Sequence, residues 1–570
     1  MRTGYVRELE DVILGRVFTA ARRQRRRRTD AAVVAGLLAM LGLLLLRYVN
    51  LSAVPLEDAA MLMRYAENLA HGHGVVWNVG ERPVDGATDF LFMVLAAAGI
   101  RLGLSAQAAV RLIDIVSIVA TIPLVYFTAR RLHGSGRIVA GIAAAFVVTG
   151  RDLYYTEAGF GAPFFGLTVA TTWLFAMRCR RDPSSRPASL GFATSALLMG
   201  LTRPEGVLLA AFMLLAVVLA VGPRRALRVV SATLLVFGTL GLGYFLWRWH
   251  YFGYPLPNAF YKKGGGHLYP HSLKEAIRQT AAQTFPFIVL YPLSLRSREG
   301  AREALFSLVP VTLFTSIWIL LSGEMNFLGR FRYPAAMVVV MSWPGLVPHV
   351  VRGWQLPRFG ELDRRARLLF LSLVLLSVFG HDLSTFESKK RMSSENGLLA
   401  IAQVLARYES RSYRLATTEA GILPLYSGWR SVDTWGLNDQ EIAHEGSITA
   451  RQLEAFDPDV IVFHASFSPV MREGCVGPEF QPGWNEMTVR LRQFATQRHY
   501  RLVAAYGIHP YDTFYHYVRR DFPDSDSLVA AIGSTDYVMP VGNERAMNFA
   551  AVRGKEDDLI ACGPPATKAG

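Results

Sequence analysis

Apolar runs close to the roughly 20 residues a helix needs to cross a bilayer recur from residue 31 to about 380. Nothing else restricts the fold of this chain as much. Lipid offers the backbone no hydrogen-bond partners, so each run must satisfy its own polar groups as a helix. Composition agrees: 51% of the 570 residues are hydrophobic and 18% are charged, against about a quarter charged in soluble domains. Spans are predicted near 31–49, 108–129, 137–150, 160–177, 188–201, 204–221, 226–248, 284–297, 303–321, 333–351 and 367–380. The apolar stretch 88–104 is read as an incomplete span.

Charge sets the direction of these spans. With 88–104 left out, alternation puts Arg130-Arg131, Arg178 to Arg181, Arg224-Arg225, Arg296 to Arg302 and Arg364 to Arg367 on one side. The positive-inside rule makes that side cytoplasmic. The net charge of +15 has the same origin: from His381 onward 19 Lys and Arg face 24 Asp and Glu, so the basic excess lies in the membrane half. That placement argues against a nucleic-acid partner. The basic run Arg22 to Arg28 precedes the first apolar segment without a small-residue cleavage site, which reads as a signal anchor in the inner or plasma membrane with a cytoplasmic N-terminus.

The expected organisation is a basic N-terminus (1–30), a membrane domain (31–380) with a large outward loop at 50–107, and an exported tail (381–570). In the tail, helical patterns at Asn396 to Tyr408 and Trp484 to His499 alternate with β-rich runs at Tyr413 to Thr418, Val460 to His464 and Leu502 to Gly507, predicting a small α/β domain. No CxxC spacing occurs, so no zinc site is expected. Cys475 and Cys562 are either a disulfide pair of an exported domain or two free thiols.

The outward segments gather the unusual polar residues of the membrane half: Glu57, Asp58, Asp85, Asp89, Asp152, Glu157, Arg203, Glu205, Lys262, Lys263, Glu324, Arg330 and Arg332. Ionisable groups close to hydrocarbon are costly and mark function. Glu57-Asp58 follows the first span directly. Adjacent carboxylates can supply a general base, because burial and like charge raise a carboxyl pKa. Asp58 is equally placed to cap the helix that follows.

The loop containing this pair resembles the first periplasmic loop of GT-C glycosyltransferases that use polyprenyl-phosphate sugars. It is most similar to the actinobacterial terminal arabinofuranosyltransferase branch, which carries an acidic pair, then R-x-x-x-N-L, then G-x-G-x-V-x-N-x-G-E-R-V-E-x-x-T. The matching residues are Glu57, Asp58, Arg64, Asn68, Leu69, Gly72, Gly74, Val76, Asn78, Gly80, Glu81, Arg82, Asp85 and Thr88. The chain departs in having Glu first in the pair, Pro83 after Arg82, and Asp85 for Glu. Further matches follow in order: Leu201 to Gly206 (L-x-R-P-E-G), Tyr251 to Lys263 (Y-F-G-x-x-x-P-N-x-F-Y-x-K), Gly323 to Pro334, then Thr418 to Pro424 and Val432 to Asp439.

The resemblance implies a polytopic GT-C membrane protein of about 11 transmembrane helices with a C-terminal α/β domain. It also implies inverting transfer of a sugar, best matched by arabinofuranose, from a polyprenyl-phosphate carrier to an envelope glycan or glycolipid. Asp58 or Glu57 would be the base, with Asp58 preferred. Arg203, Lys262, Lys263, Arg330, Arg332 and Tyr261 would hold the donor's phosphate and lipid, and Asn78, Glu81, Asp85, Asn258, Glu205, Glu324, Glu419 and Asp439 the sugar or acceptor. Several have plainer readings: a buried Arg203–Glu205 ion pair, interfacial anchoring by the lysines, and turn duty for Asn438-Asp439. A lipid phosphate is a competent leaving group, so no obligatory cofactor is expected; a divalent metal at the acidic pair is an alternative that no ligand spacing supports. The alternatives are a mannose or other hexose donor, and a lipid-sugar transporter or flippase, which would call for a mid-membrane site and internal repeats.

Overall fold

The computed structural model describes residues 24, 27–264, 266–323, 326–354, 394–481, 483–540 and 542–552. The expected span 367–380, the Arg364 to Arg367 cluster, Glu324 and Cys562 lie outside the described residues. Among the described residues six helices are long and apolar enough to cross a membrane by length and composition. They are α1 (Arg27–Tyr48), α4 (Ala106–Arg131), Arg137–Ala158, Pro223–Phe252, Arg298–Ile319 and α16 (Tyr333–Gly353). Between α1 and α4 lie α2 (Glu57–Ala70) and α3 (Phe90–Arg101). At 12 residues α3 rises only about 18 Å, short of the roughly 30 Å hydrocarbon core.

Arg137–Ala158 divides at Gly150 into α5 (Arg137–Thr149) and α6 (Asp152–Ala158). Then come α7 (Ala162–Arg181), α8 (Arg186–Thr202) and α9 (Glu205–Val221), packed in sequence against one another. Pro223–Phe252 comprises α10 (Pro223–Val236), a π-turn at Phe237–Gly241 and α11 (Leu242–Phe252). Next are α12 (Asn258–Gly264), α13 (Pro270–Thr284), α14 (Leu290–Ser294) and α15 (Arg298–Ser316).

One expected span is absent as a helix. Residues 284–297 form no continuous helix, because the chain breaks at Phe285-Pro286 and resumes as a short 3-10 turn and α14. Before the break runs α13; Tyr269, just ahead of it, donates its N–H to the Ile319 carbonyl just beyond α15 (2.7 Å). α13 and α14 thus run antiparallel beside α15. α13 is polar: it carries Lys274, Glu275 and Arg278 and turns Ser272, Thr280, Gln283 and Thr284 into the bundle. Gln283 donates its amide to the Gly329 carbonyl (2.8 Å).

The helices alternate in direction, so their connections collect at two ends. At one end Arg181 donates to the Arg131 carbonyl, Arg180 pairs with Glu303 (2.7 Å), and Asp30 of α1 pairs with Arg130 and Arg137. The expected basic loops therefore meet in space. The opposite end carries α2, the loop after it, and the C-terminal domain.

That domain is built on a six-stranded mixed sheet, ordered β2-β1-β3-β5-β4-β6. The strands are β1 (Arg414–Thr417), β2 (Arg430–Asp433), β3 (Val460–Ala465), β4 (Arg501–His509), β5 (Asp512–Val518) and β6 (Met547–Asn548). β1 pairs in parallel with β2 and β3, and the remaining pairings are antiparallel. Alternation along β3 feeds two cores: Val460 and Val462 face Leu398, Ile401 and Leu528, while Ile461 and Phe463 face Leu453, Trp484 and Leu491. The β-rich runs and both helical patterns fall where the sequence placed them. Cys475 is disulfide-bonded.

Candidate active site

Two neighbouring carboxylates must leave a helix at different angles, and Glu57 and Asp58 at the start of α2 do so. Glu57 reaches into the outer domain, where its carboxylate accepts from the Gly421 N–H (2.8 Å) and the Ile422 N–H (3.2 Å). The backbones touch here too: a Cβ on Gly421 would lie 2.0 Å from the Glu57 carbonyl oxygen. Asp58 turns the other way and forms an ion pair with the buried Arg330.

The two environments separate their acidities. Burial, then repulsion from Glu419, pushes the Glu57 pKa well above the ordinary range, against the pull of its two backbone hydrogen bonds. Burial acts on Asp58 as well, but there Arg330, Lys263 and Arg203 prevail and hold the carboxyl below its usual value. Titratable neighbours pushed apart in this way take different roles. Asp58 is the one held ionised.

Asp58 also stands between two cavities. The first, of about 430 Å³, opens among the helix ends and is lined by Asp58, Arg203, Lys263 and Arg330 with an apolar wall that includes Leu208, Phe260, Trp318 and Leu321. The second, of about 490 Å³, lies against the outer domain and is lined by Glu57, Asp58, Glu419, Asp433, His464 and Asp512 among Trp435, Phe480, Trp484 and Phe514. Asp58, Met61, Phe160 and Leu437 border both. Within the first, the Arg330 guanidinium lies 3.9 Å from the Phe160 ring centroid. Arg203 is held by Asp89 (3.1 Å) and Glu205 (3.2 Å), the ion pair foreseen for it, while still facing the cavity.

Other residues singled out from the sequence sit elsewhere. Lys262 donates to the Gly446 carbonyl and lies 3.5 Å from the Trp435 ring centroid, and it does not line the first cavity. Tyr261 stacks beside His444 at 4.3 Å. Arg332 is buried over the Trp318 ring (3.9 Å) and lines neither cavity.

Asn78 uses both amide hydrogens, on Glu81 and the Ser431 carbonyl (each 2.8 Å), and accepts from Arg64 and the Ser431 N–H. Glu81 pairs with Arg430 (2.6 Å). Asp85 pairs with Arg248, and burial, working against that arginine, pushes its pKa to about 6. Asn258 donates to the carbonyls of Gly436, Leu437 and Asp439, and Asp439 caps the helix Gln440–Glu445 through the Ile442 N–H (2.9 Å). These side chains join the first loop and α12 to the outer domain. Of the expected sugar or acceptor contacts, Glu205 faces the first cavity and Glu419 the second. Among the described residues no group of three or more His, Cys, Asp and Glu is arranged to hold a metal ion.

The aromatic wall of the outer cavity, with His464 and Asp512, was not read from the sequence. His464 is sandwiched between Phe480 (4.6 Å) and Phe514 (4.2 Å) and bonded to Asp512. These residues come from β3, β5 and the segment before Trp484–Gln497, and no local motif connects them.

A family model described as a domain of unknown function (DUF8728) matches residues 387–527. No curated protein matches the chain. Among solved structures, the chain is similar to apo ArnT from Cupriavidus metallidurans, with a TM-score of 0.53 and 15% identity over 85% of this chain and 97% of that one. It is also similar to the archaeal oligosaccharyltransferase AglB from Archaeoglobus fulgidus, solved with an inhibitory peptide and a dolichol-phosphate (TM-score 0.51, 12% identity, 87% of this chain and 75% of that one). Arabinofuranosyltransferase AftD from Mycobacteria aligns at a TM-score of 0.48 and 16% identity, over 86% of this chain and 40% of that one. Helical bundle, first-loop helix and outer sheet domain together make this a polytopic membrane protein of the GT-C fold.

Proposed function

We propose that this protein is an inverting glycosyltransferase that moves a sugar from a polyprenyl-phosphate carrier to an envelope glycan or glycolipid on the outer face of the membrane. The observation that carries the reading is the position of Asp58, in the wall between a largely apolar cavity at the helix ends that holds Arg203, Lys263 and Arg330 and an acidic, aromatic cavity in the outer domain. The donor's phosphate belongs beside Arg330, Lys263 and Arg203, its lipid along the apolar wall, and the acceptor on the opposite side of Asp58. The dolichol-phosphate seen with AglB, a protein of this fold, supports a lipid-phosphate donor. The donor sugar proposed is arabinofuranose, on the first-loop pattern alone; mannose or another hexose is the alternative.

In this reaction the acceptor oxygen attacks the anomeric carbon from the face opposite the phosphate. The bond from that carbon to the phosphate oxygen breaks, and its electron pair leaves with the lipid phosphate. The acceptor's hydroxyl proton passes to Asp58. One base suffices because no covalent intermediate forms. Cations placed where negative charge collects lower the barrier. Arg330 has a double role: in the resting state it holds Asp58 acidic, and sharing it with an arriving phosphate restores the carboxylate's basicity.

The test is Asp58→Asn in purified protein reconstituted with a decaprenyl-phosphate sugar. Transfer is expected to fall by about 10²-fold or more, the low end of what a general base contributes, while the variant still binds the lipid donor. Undiminished transfer would remove Asp58 from the mechanism.

A further inference from the structure

Cations line one of the two cavities and not the other. The inner one sets Arg203, Lys263 and Arg330 among Asp58, Asp89 and Glu205. Among the described residues the outer one has no lysine or arginine in its lining, and its acidic members are Glu57, Asp58, Glu419, Asp433 and Asp512. Asp433 is consumed by the N–H groups of Trp435, Gly436 and Asn438, Glu57 by those of Gly421 and Ile422, and one Asp512 oxygen by His464, which leaves Glu419 and the second Asp512 oxygen for contact.

Two buried polar atoms in that lining have no hydrogen-bond partner among the described residues: the Trp435 Nε1 donor and the Gln481 Oε1 acceptor. Their side chains are 4% and 6% exposed. An orphaned buried donor or acceptor is costly, so a ligand that satisfies both is favoured. A group able to donate and accept at once is a hydroxyl. Phe480, which is 40% exposed at the cavity and backed by the His464 ring, adds a flat apolar surface. Hydroxyl partners beside an aromatic face are what a sugar ring requires.

Resting on the transferase reading, we propose that the outer cavity is the acceptor site and that it selects an uncharged terminal sugar, rejecting acceptors with phosphate or uronate near the reacting end. A phosphorylated sugar would bring its charge toward Asp512 and Asp58, the carboxylates of this cavity that their partners hold ionised, with no lysine or arginine in the lining to receive it. The carboxylates hydrogen-bond hydroxyls at no such cost. The same sorting keeps the donor's phosphate on the inner side of Asp58, so that the two substrates cannot exchange places.

The test uses the full-length protein in lipid nanodiscs and reads the fluorescence of its tryptophans on titration with octyl disaccharides of arabinose and of mannose. Each is compared with the same disaccharide bearing a phosphate on its terminal sugar. Undecaprenyl phosphate binding is measured in parallel as the readout of the inner cavity. A neutral disaccharide is expected to bind, and its phosphorylated form at least about tenfold more weakly, a difference of about 1.4 kcal/mol. Phe480→Ala and Gln481→Ala should each weaken the neutral ligand by about tenfold while lipid-phosphate binding is unchanged.

Asp512→Asn should narrow the gap between neutral and phosphorylated ligands. Equal or tighter binding of the phosphorylated form overturns the proposal, as does absence of neutral binding, or neutral binding that survives both Phe480→Ala and Gln481→Ala. Loss of lipid-phosphate binding in the wild type with intact, selective sugar binding would instead strike the donor reading and leave this one standing.

Discussion

Arg330 is the residue on which the chemistry of Asp58 turns. The Asp58 pKa is held low because Arg330, Lys263 and Arg203 outweigh burial, and Arg330 is the largest of the three. Removing it as Arg330→Gln leaves burial in command, so the Asp58 pKa must rise. A base works only when deprotonated, so transfer is lost as pH falls through that pKa. The acid limb of the pH–rate profile should therefore move to higher pH in Arg330→Gln, together with weaker lipid-donor binding. Single-turnover transfer at saturating donor, measured across acid to neutral pH, reads the limb. An unmoved limb would mean that Asp58 is not the titrating base. At this scale the sequence was informative about which residues are unusual and less so about their duties. Arg64, Asn78, Glu81 and Asn258 follow the family pattern as closely as Asp58 does. Yet Arg64 donates to the carbonyls of Trp77, Pro424 and Trp429, and Asn78 is saturated by its neighbours. A motif records that a residue is needed, and a docking contact is needed as much as a base.

At the scale of elements, the junction between α2 and the helix Ile422–Ser427 positions the pair. Its geometry allows no side chain at 421: the Glu57 carbonyl oxygen would lie 2.0 Å from a Cβ there, and that oxygen is backbone, unable to move without its helix. The backbone torsion is no obstacle, since φ is −101°, so Gly421→Ala isolates the close approach. It should destabilise the outer domain by roughly 1–3 kcal/mol, the usual cost of overpacking, and reduce transfer although Asp58 is untouched. Thermal unfolding and hydrogen exchange at 421–427 would record both effects, and full stability in the variant would refute the tight junction. The element boundaries that hydropathy located were those whose buried face is apolar all round, such as α16. α13 escaped because it carries Lys274, Glu275 and Arg278 and buries Gln283 and Thr284 against protein, so hydropathy marks no helix there. The outer cavity escaped for a related reason: its wall is assembled by sheet order, which brings β3 beside β5 across 50 residues of chain, and pairing of that kind leaves no spacing to read.

Over the whole molecule, the alternation of helices separates two chemically distinct ends. One gathers Arg130, Arg131, Arg180 and Arg181 around α1 and α15; the other gathers the cavities and the outer domain. Burial inside the bundle follows the same plan. The apolar stretch of α16 is 78% buried inside the molecule, and those of α1 and Pro223–Phe252 are 11% buried, so α16 is the central post and the other two lie at the periphery. A molecule of this kind has one orientation at which its cationic end meets the cytoplasm, and the positive-inside rule selects it. On this proposed orientation the C-terminal domain would be exported, which suits the disulfide at Cys475 and would place both cavities on the outer side of the membrane. Single cysteines at two exposed positions test this directly: Ser184, in the turn between α7 and α8, and Ser534, after the helix Ser525–Gly533. With a membrane-impermeant maleimide on intact cells, Ser534→Cys should label above the level of the unsubstituted protein. Ser184→Cys should label only after permeabilisation. The reverse pattern would invert the molecule and would put Asp58 on the side where activated nucleotide sugars, not lipid-linked ones, are the available donors.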